Sequence, residues 1–183
     1  DPKTVELRNA YEQHVRRMFA LLGHSPERAA AEEKAVLSIE TALAKSSLDR
    51  VSLRDPNKRY HKMPVSALNE LAPAFDWLVY LAGIGIPPVQ TLNVGMPDFL
   101  KGLEGVLDAT SLDDLKAYMT WHILHKSAEL LPEAFVNEDF AFFGKTLTGA
   151  QELKPRWKRC VTLTDSDLGE ALGQKFVEQA FGK

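Results

Sequence analysis

Leu7, Tyr11, Val15, Met18 and Leu22 recur at three- and four-residue intervals, the spacing that puts apolar side chains on one face of a helix. Asp1 followed by Pro2 supplies a cap and a first-turn proline, and Gly23 supplies a stop. Ser25-Pro26 repeats that start, and Ala29, Val36, Ile39 and Leu43 carry a second stripe to about Lys45. From Leu48 to Met63 the periodicity fades and charge accumulates, which predicts a long connector. Pro64 to Ala72 and Phe75 to Ala82 read as two short helices split by Pro73. Gly83 to Val94 holds two prolines and several β-branched residues, so it is expected to be extended, with at most one short strand pair near 89–94. Pro97 opens a helix to Leu107. Ser111-Leu112-Asp113-Asp114 resembles a capping box and opens the longest helix, to about Leu131. Pro132 starts a further helix through Phe143, and a last one is expected from near Asp167, with Leu168, Leu172, Phe176 and Ala180 four apart. The fold class is therefore mainly α, an irregular multi-helix array, with no internal repeat.

Composition narrows the function classes. A chain of 183 residues with 45% hydrophobic and 26% charged residues has the make-up of a soluble globular protein and enough length to bury a core. A net charge of −3 argues against nucleic acid, which requires a clustered basic face. The longest apolar run, Trp77 to Ile86, is far short of the ~20 residues of a membrane span. Asp1-Pro2-Lys3 does not have the character of a secretory signal. The single cysteine, Cys160, has no partner within the chain for a disulfide.

Five features invite a chemical reading. His122, His125 and Glu129 sit three and four apart, and on a helix they would share a face. Metal binding would need further ligands, and zinc peptidases space their histidines four apart with a general base between, whereas Ile123 and Leu124 stand here. The plainer reading is two half-buried polar residues on a packed helix. Cys160 lies beside Lys158 and Arg159, cations that favour a thiolate, but no histidine is near it in sequence to act as base. The segment Arg54 to Met63 reads either as a ligand-contacting loop or as an ordered connector, turned by Asp55-Pro56-Asn57 and anchored by Tyr60 and Met63. Gly169 and Gly173, four apart, lack the strand–loop–helix setting of a phosphate site and read as positions where another helix approaches. Phe75, Trp77, Trp121, Phe140, Phe142, Phe143 and Trp157 read as core, because no basic groove accompanies them.

Motifs in a fixed order extend over nearly the whole chain. Arg54-Asp55-Pro56 precedes Tyr60 and Met63. Phe75, Trp77, Tyr80 and Leu81 follow, then Tyr118-Met119-x-Trp121, then Phe140-x-Phe142 with Leu147-x-Gly149. The series ends in Arg156-Trp157-x-x-Cys160, Leu168-Gly169-x-Ala171-Leu172-Gly173 and Phe176-Val177-x-x-Ala180-Phe181. From about Arg8 onward this resembles the non-catalytic amino-terminal region of the neprilysin family of zinc metallopeptidases. Relatives commonly place arginine after the motif tryptophan, where this chain has His122, a departure that weakens a ligand role for it.

The resemblance implies a zinc endopeptidase of two interlocked helical lobes around a cavity, with residues 1–183 a fragment of the non-catalytic lobe. That lobe would wall the cavity and admit only small peptides. The zinc ligands, general-base glutamate and substrate-aligning residues have no match in this chain. No residue here is thus expected to be catalytic, to bind a cofactor or to ligate metal, and zinc belongs to the parent enzyme. The implied partners are the catalytic lobe of the same parent chain and small peptide substrates. In many members the cysteine matching Cys160 bonds one further upstream, which implies an exported, oxidising setting; some bacterial members are cytoplasmic and lack such bonds. Apolar surface left uncovered on a fragment is expected to drive self-association. The alternative is a freestanding helical interaction module.

Overall fold

Asp1 caps the first helix, its carboxylate accepting the Lys3 backbone N–H at 3.1 Å, and Pro2 occupies the first turn where its missing N–H costs nothing. The computed structural model describes residues 1–182, and within them the chain divides into two compact units. The first unit comprises Asp1–Leu22 with the chain from Ile123 onward, and the second comprises Gly23–His122.

In the first unit, α1 (Pro2–Leu21) packs against α7 (Glu133–Asp139) and against the π-helical segment Phe140–Leu147 that continues α7. The buried face of α1 is His14, Val15, Met18 and Phe19, turned from the expected stripe so that Leu22 is exposed. The polar His14 can sit in this seam because Glu138 of α7 gives it a hydrogen-bond partner. Met18 and Phe19 are fully removed from water, each contributing about 1.5–3 kcal/mol.

The sequence predicts an ordinary helix through Phe143, but the turns widen from Phe140. Gly144 permits this. A Cβ there would lie 2.2 Å from Cδ2 of Phe140, whose ring folds over the glycine. Thr146 Oγ1 donates to the carbonyl of Ala141, five residues back, at 2.9 Å. Gly149, at φ +75°, then ends the segment, its N–H donated to Lys145.

The last helix, α8 (Arg156–Phe181), begins eleven residues before the expected start near Asp167. Pro155 sits at its cap, and the helix runs on through the polar stretch Thr162 to Asp167. Its one non-helical residue, Leu168, stands where the periodicity resumes.

In the second unit, α2 (Pro26–Lys45) starts at Ser25, whose hydroxyl accepts the Arg28 N–H at 3.3 Å, and packs against α5 (Pro97–Ala109). The connector is ordered by two 3-10 turns, Ser52–Arg54 and Asn57–Arg59. Asp49 organises the first, accepting the N–H groups of Val51 and Ser52 and the Ser52 hydroxyl at 2.8–2.9 Å. Those bonds, the Ser52 backbone N–H foremost, hold its carboxyl below the usual range.

Strand β2 (Thr91–Asn93) forms inside the extended stretch, but its antiparallel partner β1 (Lys62–Pro64) lies upstream in the connector, with Met63 opposite Leu92. Pro64 is therefore the end of a strand rather than the start of a helix, and only Leu68–Leu71 (α3) follows as α-helix. Asp76 accepts the Val79 N–H at 3.0 Å and starts α4 (Trp77–Gly83). The break at Pro73 is pinned by Trp77, whose indole N–H donates to the Ala72 carbonyl at 2.9 Å. Val65, Leu68, Ala72, Trp77 and Val94 make the core here, with Met63, Phe75 and Leu100 packed on it. Helix α6 (Leu112–Ser127) opens at Ser111, whose hydroxyl accepts the Asp114 N–H at 3.1 Å, and it passes into the 3-10 turn Ala128–Leu130.

Candidate functional site

His122, His125 and Glu129 are drawn to different partners. The His122 ring meets Tyr118 edge-on at 4.5 Å. His125 packs on Phe143 at 4.5 Å, with Nδ1 3.4 Å from the Asp139 carboxylate. Glu129 falls beyond the end of α6, in the 3-10 turn, because the helix stops at Ser127. Among the described residues no group of three or more His, Cys, Asp and Glu side chains is placed to hold a metal ion.

Cys160 is exposed on α8 and without a disulfide partner among the described residues. It borders a recess of about 550 Å³ together with Glu129, Glu133, Lys154, Arg156 and Arg159. No histidine lines that recess, so a thiolate nucleophile there has no base beside it.

The Arg54–Met63 segment is an ordered connector, held by bonds between side chains and backbone. Asp55 accepts the Asn57 N–H at 2.9 Å, His61 Nδ1 lies 3.0 Å from the Val94 carbonyl, and Asn93 joins Arg59 and His61 by its side-chain amide. Met63 packs on the core, but Tyr60 is 65% exposed and anchors nothing. The strand pair fixes the segment instead, so the tyrosine is not needed.

The helix approach expected at Gly169 and Gly173 is not found among the described residues. A Cβ at Gly173 would meet nothing within 4 Å, and one at Gly169 only the Asp165 carboxylate at 3.8 Å. Trp121, Trp77 and Phe142 are buried as expected of core, but Trp157 is 66% exposed. It belongs to α8, along which no residue is buried and Val161, Leu172, Phe176, Val177 and Phe181 stand in solvent.

Sequence reasoning missed a polar cluster inside the first unit. His14, with no exposed side-chain surface, holds Nδ1 2.9 Å from Oε1 of Glu138, and Arg17 Nε lies 2.8 Å from the same oxygen. The His14 ring stacks on Phe142 at 5.1 Å and meets the edge of Phe143 at 5.4 Å. Burial pushes the Glu138 carboxyl up, but the hydrogen bonds from His14 and Arg17, and their charge, outweigh it and hold the group below its ordinary value. One signal was available: His14 lies four residues before Met18, in phase with the buried face of α1. The carboxylate of Glu138 is tied to a buried histidine under aromatic cover and to a half-exposed arginine, which is the chemistry of a structural clamp rather than of a reacting centre.

The amino-terminal model of peptidase family M13 matches residues 1–183. The chain is similar to endothelin-converting enzyme 1 of Cavia porcellus, 31% identical over 180 residues, covering 96% of this chain and 24% of that enzyme. The Homo sapiens enzyme is 30% identical over 178 residues. Among solved structures, the zinc metalloprotease Zmp1 of Mycobacterium tuberculosis in its open state superposes with a TM-score of 0.91 at 32% identity, covering 98% of this chain and 28% of that one. The same protease in complex with an inhibitor gives 0.91, and in a partial open state 0.81. The chain thus spans about a quarter of the length of these relatives.

Proposed function

The chain belongs to peptidase family M13, the neprilysin-like zinc metallopeptidases, and from that premise we propose that it is the non-catalytic part of an endopeptidase that hydrolyses small peptides. In this reading residues 1–183 wall the substrate cavity and restrict entry by size. The zinc and the groups that hold it belong to the remaining three quarters of a relative-length chain, where the metal would activate the attacking water. The parent enzyme is an exported one.

One observation carries the reading: α8 is 26 residues long and none of them is buried. A helix with Trp157, Leu172, Phe176 and Phe181 in water has an apolar face that a globular protein covers. In a chain that matches only a quarter of its relatives, the catalytic part of the same polypeptide is the natural cover.

The reading makes two expectations. Purified chain incubated with small peptides, with and without added zinc, is expected to show no turnover above the zinc-only blank. Robust zinc-dependent hydrolysis by these 183 residues would overturn the non-catalytic assignment. The bare face is also expected to associate. Light scattering should report species larger than the 20.4 kDa monomer and an apolar dye should bind. Replacing Leu172 and Phe176 with glutamate should reduce both signals severalfold. A monomer that binds no dye would contradict the uncovered face.

A further inference from the structure

Helix α8 leaves helical geometry at Leu168, with φ −127° and ψ 21°. The residues just before it weaken the ladder. Thr162, Thr164, Asp165, Ser166 and Asp167 all have short polar side chains that compete for backbone hydrogen bonds. Two of them do so: Thr162 Oγ1 donates to the Lys158 carbonyl at 3.0 Å and Thr164 Oγ1 to that of Cys160 at 2.9 Å, the back-bonding that bends helices. Gly169 follows directly, the residue with the least resistance to a change of backbone angle.

The two sides of the break differ in what holds them. Before it, Arg156, Arg159, Cys160 and Leu163 share the walls of one recess with Glu129 and Val136 of the same unit, and Arg159 and Leu163 are half-buried. After it, every residue from Glu170 to Phe181 is exposed. Asp165, Asp167 and Glu170 line a recess of about 450 Å³ at the bend, so like charges oppose its tightening.

We propose that Leu168–Gly169 is a hinge and that Gly169–Phe181 is an arm that changes its angle to Arg156–Asp167, which stays with the first unit. The arm carries Leu172, Phe176, Val177 and Phe181, and it closes by laying that face on the catalytic part of the parent chain. What the arm closes on rests on the function proposed above, whereas the hinge does not.

Cys160 is the chain's one cysteine, so a spin label there paired with one at Gln174→Cys spans the break. In a straight helix, fourteen residues cover about 21 Å. Double electron–electron resonance should give a distance distribution several times broader than that of a control pair with the same spacing, Ala31→Cys with Lys45→Cys on α2 in a Cys160→Ser background. Gly169→Ala should narrow it toward about 21 Å, since alanine favours continuous helix. A wild-type distribution as narrow as the control, at any distance, overturns the hinge. Zinc-dependent turnover by the chain would remove the proposed occupant yet leave these distances unchanged, so the two failures are distinguishable.

Discussion

Gly102→Ala is expected to lower the urea midpoint of the second unit and to expose the amides of α5 to exchange in conditions where the parent chain protects them. Gly102 lies where α5 crosses the end of α2. A Cβ built on it falls 1.9 Å from Oγ and 2.3 Å from Cβ of Ser46, the residue that ends α2. Rotating the hydroxyl away relieves the first clash but not the second, because the Ser46 Cβ is fixed to the backbone. The helices must then separate, and α5 carries Leu100, which packs against the core of Val65, Leu68, Ala72, Trp77 and Val94. Overpacking of this kind costs about 1–3 kcal/mol, and the backbone-fixed contact places this case at the upper end. Ser46→Gly removes both clashing atoms, so the double variant should recover most of the loss, a coupling that only contacting residues show. An unchanged midpoint for Gly102→Ala would mean that α2 and α5 do not approach this closely.

That close approach shows what was legible in the sequence. Caps and prolines located the starts of α1, α2, α5 and α6 closely, because Asp1, Ser25, Pro97 and Ser111 act locally and need no tertiary partner. Features set by distant residues were hidden. Lys62–Pro64 became a strand only because Thr91–Asn93 lies beside it. Nothing in the spacing of Phe140 to Leu147 announces a widened helix; the fold of Phe140 over Gly144 does. The early start of α8 was masked by Thr162 to Asp167, weak helix formers that mimic a loop. At the candidate site the cations beside Cys160 were readable, but the clamp of His14, Arg17 and Glu138 was not, since Glu138 lies 124 residues from His14.

The clamp yields the other large effect. Glu138→Ala should destabilise the first unit by about 2 kcal/mol at pH 7, because it removes the carboxylate that bonds the fully buried His14. The carboxylate is 14% exposed and serves a fully buried histidine; Arg17, half in solvent, adds little by itself. Glu138→Gln keeps the shape and an acceptor for His14 but gives up the charge facing Arg17, so its loss should be smaller, about 1 kcal/mol. The pH dependence separates charge from shape. Glu138 has its carboxyl held below the ordinary 4.5, so the native state binds its proton less readily than the unfolded chain. Its contribution is therefore fully present above pH 4.5 and is lost as pH falls through the depressed folded value. Asp49 and Glu27 are shifted in the same direction, but they are common to both proteins and cancel in their difference. Urea midpoints of the parent and Glu138→Gln should consequently lie apart at pH 7 and converge at the acid end of the range. A gap of equal size at both ends would show that the clamp works through packing alone and that the charge on Glu138 contributes nothing.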